Sequence, residues 1–259
     1  MILDNIIDLE SYPIGDRNFR NACKRTFDLD GVLEMPGFVK DEAVKSICAE
    51  GLTNSQAIYA KTELHTVYLS PQDPQFPPEH PRNRLVQSSK GCLTDDLIPQ
   101  GSALRTLYNA ELFREFLCAV LEEGALFEYA DPLSSINLHF AEKGQELGWH
   151  FDNSSFAITL MIQAPEKGGQ FEYIKDVRDA DSGEMNYSGV AEALDGITPV
   201  ETLNARAGTL VFFRGRNSMH RVAPNEGDVT RILAVLAYNA EPGISLSESA
   251  RKTFYGRIS

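Results

Sequence analysis

Basic residues are scarce in this sequence, which has 24 Lys and Arg against 37 Asp and Glu and a net charge of −13. Nucleic-acid-binding proteins carry basic patches that neutralise phosphates, and here no Lys/Arg cluster is interleaved with aromatic residues. We therefore expect no nucleic-acid partner. The acidity can steer a cationic substrate, but a solvated surface that keeps the protein soluble explains it more simply.

Long apolar runs and cysteines are also scarce. No stretch approaches the 18 consecutive apolar residues of a transmembrane helix, and residues 1–4 lack the basic region and apolar run of a signal peptide. We therefore expect a cytoplasmic protein with no membrane partner. The four cysteines lack metal-type spacing and are expected to be free, buried thiols: Cys23, Cys48, Cys92 and Cys118.

No Ser/Gly/Pro linker or internal repeat divides the 259 residues, so we expect a single domain over 1–259. Helical spacing of apolar residues predicts helices over 40–51 and 102–124, whereas β-prone runs dominate later. The predicted fold class is mainly β with flanking helices. The expected parts are an N-terminal helical layer over about 1–125, a β core over about 126–242 and a C-terminal tail over 243–259.

The most informative motif is His150-Phe151-Asp152. Alone it is weak, because five His and 16 Asp in 259 residues give roughly 0.3 His-any-Asp pairs by chance. Its context is stronger, since a turn at 142–144 joins the β-prone runs 134–141 and 149–163. Residues two apart on a strand share a face, so His150 and Asp152, at the beginning of the second strand, can point at one ion.

Two later residues extend this pattern. His220 follows a predicted strand over 207–213 and a bend, and Arg231 begins the next β-rich run, 230–239. Their separation of eleven residues is typical of a hairpin, so we expect Arg231 one strand over from His220 and facing the same cavity. Two imidazoles and a carboxylate suit iron(II), and an arginine buried among apolar residues needs an anion such as a ligand carboxylate.

Taken singly, each of these residues has a plainer interpretation. His150 is compatible with a core imidazole, and Asp152 with a turn former. His220 is compatible with a hairpin cap, and Arg231 with a surface ion pair to Asp228. These interpretations require four coincidences in the observed order and spacing. The joint pattern therefore favours a metal site.

With these residues the chain resembles the iron(II)/2-oxoglutarate-dependent oxygenases, whose pattern is His-any-Asp, a distal His and an Arg about ten residues on. The resemblance covers about 127–238 and includes Gly168-Gly169-Gln170-Phe171 and the strand over 208–212. The stretches 147–152, 168–173 and 213–222 are also similar to a bacterial and fungal subgroup related to hydroxylases and halogenases of free amino acids.

The resemblance implies a double-stranded β-helix, the jelly-roll or cupin-like core, with iron(II), 2-oxoglutarate and O₂ as cofactors. It implies that His150, Asp152 and His220 are the catalytic metal ligands and that Arg231 binds the distal carboxylate of 2-oxoglutarate. Halogenating members have Gly or Ala in place of the carboxylate ligand, which opens a site for chloride. Because Asp152 is present, we expect hydroxylation or another C–H oxidation of a small molecule, with release of succinate and CO₂.

One departure from the family concerns the strand before the metal motif. Members often have an Asn-any-Tyr pair there that contacts 2-oxoglutarate, whereas this chain has His139 and Ala141. His139, with Asn137 on the same face, is therefore a candidate co-substrate residue. A satisfied imidazole on a half-buried strand explains His139 equally well.

Substrate recognition is the least defined part of the prediction. Polar residues near the metal strands are the candidates: Asn137, Trp149, Asn153, Arg84 and Asn239. A free amino acid or a derived metabolite needs a cation for its carboxylate, and Arg84 or Arg216 can supply one or be a surface arginine. Two irregular segments, the proline-rich 68–93 and 176–195 with a short helix over 187–194, are candidate lids, and a passive surface loop is the alternative for 68–93.

Two other classes remain open. One is a non-oxidative cupin-like metal-binding protein, such as an isomerase or a small-ligand module, that uses the same triad. The other is an inactive interaction module that has kept the barrel. The oligomeric state is also open, with a homodimer as one option.

Overall fold

The computed structural model describes residues 2–259, which form six α-helices and eleven β-strands. The helices are α1 (Arg17–Asp30), α2 (Asp41–Thr53), α3 (Ala103–Asn109), α4 (Glu111–Leu121), α5 (Tyr187–Leu194) and α6 (Glu248–Tyr255). The strands are β1 (Val32–Met35), β2 (Tyr59–Thr66), β3 (Leu85–Leu93), β4 (Ile136–Ala141), β5 (Leu147–His150), β6 (Ala157–Gln163), β7 (Phe171–Ile174), β8 (Glu201–Leu203), β9 (Leu210–Phe213), β10 (Met219–Val222) and β11 (Arg231–Leu236).

The strands form two antiparallel sheets. The larger sheet has seven strands in the order β1-β9-β6-β11-β4-β3-β2, and the smaller has four in the order β5-β10-β7-β8. Consecutive strands often lie in different sheets: β4 and β5, β6 and β7, and β9 and β10 each change sheet. This alternation is the jelly-roll arrangement, which confirms the predicted fold class.

Strand alternation divides the large sheet into an apolar and a functional face. On β11, Ile232, Ala234 and Leu236 join the main hydrophobic core, whereas Arg231 and Leu233 line a cavity. Because side chains alternate across a strand, each strand contributes to both faces at once. Helices α1 to α4 cover the apolar face, as expected for an N-terminal helical layer.

Local sequence signals account for the ends of α1. The Asp16 carboxylate accepts a hydrogen bond from the backbone N–H of Phe19 at 2.8 Å, which caps the helix N-terminus. Gly31 ends the helix in the left-handed conformation, with φ of 72°. The helix then packs Phe27 against Phe212 of β9, with ring centroids 6.0 Å apart.

Several predicted elements have different bounds. The helix expected over 102–124 is two helices, because Ala110 has extended backbone angles between α3 and α4. The run over 149–163 is also two elements, and residues 151–156 between β5 and β6 are irregular. The expected helix over 187–194 is confirmed as α5.

The three expected parts of the chain are less separate than the sequence suggests. Strands β1, β2 and β3 fall within the N-terminal helical part but belong to the seven-stranded sheet. In particular, β3 pairs with β4 through Gly91 opposite Phe140. The tail over 243–259 contains α6, which the sequence analysis did not predict.

Two further expectations concern cysteines and membranes. The four cysteines are free thiols; Cys23 and Cys92 are buried, and Cys48 and Cys118 are half-buried. No helix within residues 2–259 has the length and apolar character needed to span a membrane.

A candidate metal and 2-oxo acid site

Three side chains from the small sheet and its loop converge at one point. His150 is the last residue of β5, His220 lies opposite it on β10, and Asp152 follows in the irregular segment. The Oδ1 atom of Asp152 lies 3.8 Å from Nε2 of His150 and 3.5 Å from Nε2 of His220. One ligand atom from each residue lies within 4.8 Å of the others, and this is the metal-type cluster found in the described part of the chain.

Backbone carbonyls fix both imidazoles. Nδ1 of His150 lies 2.8 Å from the carbonyl oxygen of Gly148, and Nδ1 of His220 lies 3.0 Å from that of Ser218. Since a carbonyl only accepts, each Nδ1 carries the proton and each Nε2 presents a lone pair. This orientation of both rings is the one that metal-binding histidines need.

A backbone hydrogen bond holds Asp152, and its carboxylate occupies space that a side chain at Gly215 would fill. Its N–H donates to the carbonyl oxygen of Gly215 at 3.0 Å. A Cβ atom at Gly215 would lie 2.0 Å from Oδ2 of Asp152 and 2.9 Å from Cε1 of His220. The sequence motif Arg214-Gly215-Arg216 therefore needs glycine at this position for steric reasons.

Burial and mutual charge set the protonation of these ligands. Burial, with a further contribution from His220, lowers the pKa of His150 to about 3, so the ring is neutral. Burial raises the pKa of Asp152, but the adjacent His220 and His150 outweigh this effect and bring it to about 2. A metal ligand must be deprotonated, and both groups are in that state at neutral pH.

The three residues fit a divalent metal ion. Oδ2 of Asp152 is buried without a hydrogen-bond partner among residues 2–259, an unsatisfied anion that a cation can neutralise. Two imidazole nitrogens and one carboxylate, with open positions beside them, are the donor set of non-haem iron(II). The geometry of Asp152 differs from the prediction only in that it lies beyond the strand rather than on it.

Arg231 faces the triad from the opposite sheet. It begins β11 in the large sheet, whereas His220 is in the small one, so the predicted hairpin between them is wrong. Both residues nevertheless line the same cavity because the two sheets enclose it. Arg231 is only 5% exposed, its Nε has no partner within residues 2–259, and burial lowers its pKa to about 10.

A lysine that the sequence analysis did not select lies beside His139. Nζ of Lys90, on β3, is 3.2 Å from Nδ1 of His139, on β4. Burial lowers the pKa of Lys90. Burial, together with the positive charges of Lys90 and Arg231, holds the pKa of His139 well below its usual value. Lys90 lies in the segment 68–93, which was expected to be irregular because it contains five prolines among polar residues; the strand signal is the β-prone Leu85-Val86 just before Lys90.

These groups share a cavity of about 480 Å³ between the two sheets, a volume typical of small-molecule sites. The polar part of its lining includes the triad, Lys90, His139, Arg231 and Thr159. Apolar residues from both sheets complete the wall, among them Leu147, Met161, Val211, Phe213 and Leu233. Segments 164–170 and 203–206 line its rim.

Most predicted substrate residues lie elsewhere. The buried Asn137 amide donates to the carbonyl oxygens of Leu133 and Ile136 and accepts from the Tyr255 hydroxyl at 3.1 Å, so it ties α6 to β4. Asn239 pairs with Phe127 through its backbone, and its side chain is not part of the cavity wall. The expectation that Asn137 shares the His139 role is therefore wrong, because its amide is already saturated.

The other candidates are engaged outside the cavity. Trp149 points away from His150 and stacks under Arg221, whose guanidinium carbon lies 4.8 Å from the ring centroid. Arg84 pairs with Asp195 at 2.7 Å. Asn153 is exposed and its carbonyl accepts from Arg216, which also pairs with Asp181.

The two expected lid segments pack on each other. Tyr187 of α5 lies 5.5 Å from Phe76 and 4.9 Å from His80, measured between ring centroids. With Tyr68, these residues belong to or border a second apolar cluster outside the barrel. Neither loop lines the cavity. The lining residue from 68–93 is Lys90, which is on strand β3, and no lining residue comes from 176–195.

Comparisons with known proteins agree with this architecture. A fold likeness is found to the non-haem α-ketoglutarate-dependent epimerase SnoN from nogalamycin biosynthesis, with a TM-score of 0.60, 13% identity, and coverage of 86% of this chain and 84% of that one. An oxidoreductase of the 2OG-Fe(II) oxygenase family from Burkholderia pseudomallei has a TM-score of 0.57 at 12% identity, covering 87% and 93%. A prolyl-4-hydroxylase from Pseudomonas putida has a TM-score of 0.52 at 13% identity, covering 83% and 96%.

At these identities the structural likeness establishes the fold, and a search of curated proteins gave no match. Sequence-family comparison goes further, because the halogenase D (HalD) family model matches residues 16–254. That match spans helices, both sheets and every residue of the cavity interior. The chain therefore belongs to the halogenase D family and, with it, to the iron(II)/2-oxoglutarate-dependent oxygenases.

Proposed function

We propose that this protein uses iron(II), 2-oxoglutarate and oxygen to hydroxylate an unactivated C–H bond of a small molecule, and that it does not halogenate it. The observation that carries this proposal is Asp152, whose Oδ1 lies 3.5 Å and 3.8 Å from the two imidazole Nε2 atoms. Its carboxylate takes the position that a halogenating site leaves open for chloride. The family name is compatible with either outcome, and the carboxylate of Asp152 is the observation that supports hydroxylation.

Each site residue has a distinct role in this proposal. His150 and His220 hold iron(II) through Nε2, and Asp152 supplies the third bond and a negative charge. Arg231 grips the distal carboxylate of 2-oxoglutarate, for which its planar guanidinium is suited. Bound iron and 2-oxoglutarate supply the oxidising chemistry, while the co-substrate is converted to succinate and CO₂.

The cavity wall contributes exclusion of water and orientation. Met161, Leu233 and Phe213 are apolar and surround the polar groups. A low-dielectric wall strengthens the attraction between Arg231 and a carboxylate, because fewer water dipoles screen it. It also keeps the co-substrate in one orientation between the two ends of the cavity.

The substrate class that we propose is a free amino acid or an amino-acid-derived metabolite. The support is membership of the halogenase D family together with the sequence likeness to amino acid hydroxylases and halogenases. The arginines first considered for its carboxylate are already paired, Arg84 with Asp195 and Arg216 with Asp181. Neither arginine is therefore a free cation for the substrate carboxylate.

The test of the proposal is product analysis with a panel of amino acids, 2-oxoglutarate and iron(II), in buffer containing chloride or bromide. We expect a product heavier by one oxygen atom, formed with one equivalent of succinate, and no halogenated product. The α-amide of the best substrate is the matched control, and it should turn over poorly. A halogenated product from the unchanged protein would contradict the assignment to Asp152, and equal turnover of the amide would remove the amino acid class.

A further inference from the structure

We propose that Lys90, aimed by His139, is a second binding residue for the distal carboxylate of 2-oxoglutarate, acting together with Arg231. This inference rests on the proposed use of 2-oxoglutarate. It begins from the charges inside the cavity. Lys90 and Arg231 are its enclosed cations, while Asp152, its enclosed anion, is directed at the metal position.

Neither cation is neutralised by the protein. The ion pairs formed within residues 2–259 include neither Lys90 nor Arg231. Asp152 and Glu63 are close enough to influence Lys90 electrostatically, but neither forms an ion pair with it: Asp152 is directed at the two imidazoles, and the Glu63 carboxylate is paired with Lys61. Arg231 is buried and Lys90 is half-buried in the cavity wall. Unpaired positive charges in such an enclosed site are costly, and a ligand bearing negative charge removes that cost.

His139 explains how Lys90 is directed. A lysine ammonium can only donate, so Nδ1 of His139, 3.2 Å away, must accept and the ring must be neutral. The low pKa of His139, caused first by burial, is consistent with this state. The imidazole thus orients one of the three ammonium protons and leaves the others for a ligand.

Register places this pair at the Arg231 end of the cavity. His139 is opposite Leu233 on β11, two residues from Arg231, and the charges of both Lys90 and Arg231 act on its ring. The residue opposite Arg231 is Ala141, which offers no polar atom to a ligand. A carboxylate bound by Arg231 therefore has Lys90 as the available second donor on the β4 side.

The experiment compares two 2-oxo acids of equal carbon number. Iron(II)-loaded protein is titrated without oxygen, and the visible absorption of the chelate gives the dissociation constants of 2-oxoglutarate and of 2-oxopentanoate, which lacks the distal carboxylate. For Lys90→Met we expect 2-oxoglutarate affinity to fall about 10- to 100-fold, the effect of removing one hydrogen bond between charged groups. Binding of 2-oxopentanoate should be unchanged.

Three further proteins complete the test. Lys90→Arg keeps the charge and should bind 2-oxoglutarate within a few-fold of the unchanged protein. Lys143→Met removes an exposed lysine paired with Asp228 and should have no effect. Thermal unfolding of each variant without 2-oxo acid establishes that it is folded, and Lys90→Met is expected to be at least as stable as the parent because it removes a buried charge.

The outcomes separate this inference from the proposed function. Unchanged 2-oxoglutarate affinity in Lys90→Met would overturn the role of Lys90 and leave the oxygenase assignment intact. Equal weakening of both 2-oxo acids would overturn the distal position, because it would place Lys90 at the keto-acid end. No binding of 2-oxoglutarate to the unchanged iron(II) protein would instead refute the proposed function itself.

Discussion

The two ends of the cavity are built on opposite principles. At the metal end, formed by His150, Asp152 and His220, the backbone carbonyls of Gly148 and Ser218 already fix both rings. At the anion end, formed by Arg231, Lys90 and His139, buried cations have no anionic partner within residues 2–259. The metal end is thus organised before its ligand arrives, whereas the anion end is electrostatically incomplete until a carboxylate enters.

This difference has a thermodynamic consequence. Hydrogen bonds from the imidazole Nδ1 atoms to backbone carbonyls orient the metal ligands and raise metal affinity, with little loss of stability in the metal-free protein. Unpaired cations enclosed in the cavity raise the free energy of the empty protein, so in the proposed complex part of the 2-oxoglutarate binding energy is relief of that destabilisation. The same residues should therefore affect stability and co-substrate affinity in opposite directions at the anion end, but not at the metal end.

The largest effect should follow loss of a metal ligand. His220→Ala removes one of the two Nε2 atoms that would bind the metal. We expect iron(II) or cobalt(II) affinity to fall more than about 100-fold, because loss of a group that only hydrogen-bonds a metal ligand already lowers affinity by about 10- to 100-fold. Anaerobic titration with cobalt(II), followed by its visible absorption, measures the change. His80→Ala is the control, because His80 stacks on Phe76 outside the cavity. Equal metal affinities in the two variants would mean that the triad is not the metal site.

The variant Arg231→Leu should impair binding at the anion end and leave the metal end unaffected. We expect 2-oxoglutarate affinity to fall roughly 100-fold, as when one partner of a buried charge pair is truncated, while metal affinity stays unchanged. Without 2-oxo acid, the variant should unfold a few degrees higher, since it lacks a buried unpaired charge. Calorimetry with and without the co-substrate tests both statements. A lower unfolding temperature in the empty variant would show that Arg231 has a partner in the protein.

The contrast between the ends also explains what could be predicted from the sequence. His150 and Asp152 are two positions apart in sequence, and His220 lies in a β-rich run, so local pattern was enough to select them. Arg231 was found for a reason that proved wrong, because it lies across the barrel rather than across a hairpin. Lys90 was missed, since its role depends on the pairing of β3 with β4, a contact between residues almost 50 positions apart in sequence.

The fold shows the same limit. β-prone composition predicted β4 and β11, but their neighbours in the sheet depend on tertiary contacts that no local pattern contains. The break at Ala110 is a further example, because it accompanies stacking of Tyr108 on Tyr238, with centroids 4.3 Å apart. Local propensity there favours one continuous helix, and packing overrides it.

A smaller effect than ligand loss is expected from crowding the metal end. In Gly215→Ala, the added methyl would meet Oδ2 of Asp152 at 2.0 Å, so the carboxylate must move. We expect metal affinity to fall about 10-fold, the range for a changed ligand environment, with 2-oxopentanoate and 2-oxoglutarate weakened equally. Gly124→Ala is the matched control because an added Cβ there meets nothing within 4 Å. Unchanged metal affinity in Gly215→Ala would show that the position of the Asp152 carboxylate does not depend on the open space at Gly215.

The smallest effect concerns Asn137, which belongs to neither end although its sequence position suggested the anion end. Tyr255→Phe removes the hydroxyl that donates to Oδ1 of Asn137, and we expect a loss of about 1 kcal/mol in unfolding free energy, since a buried acceptor is left unpaired. In a chain of this size that loss lowers the unfolding temperature by about 2–4 °C. Affinities for cobalt(II) and 2-oxoglutarate should not change, because the Asn137 amide is directed at Leu133 and α6 rather than at the cavity. A selective loss of 2-oxoglutarate affinity would instead show that the anion end extends along β4 to Asn137. Asn137 would then be a binding residue although its amide already has partners in the protein, which contradicts the description of the anion end as a set of groups without partners.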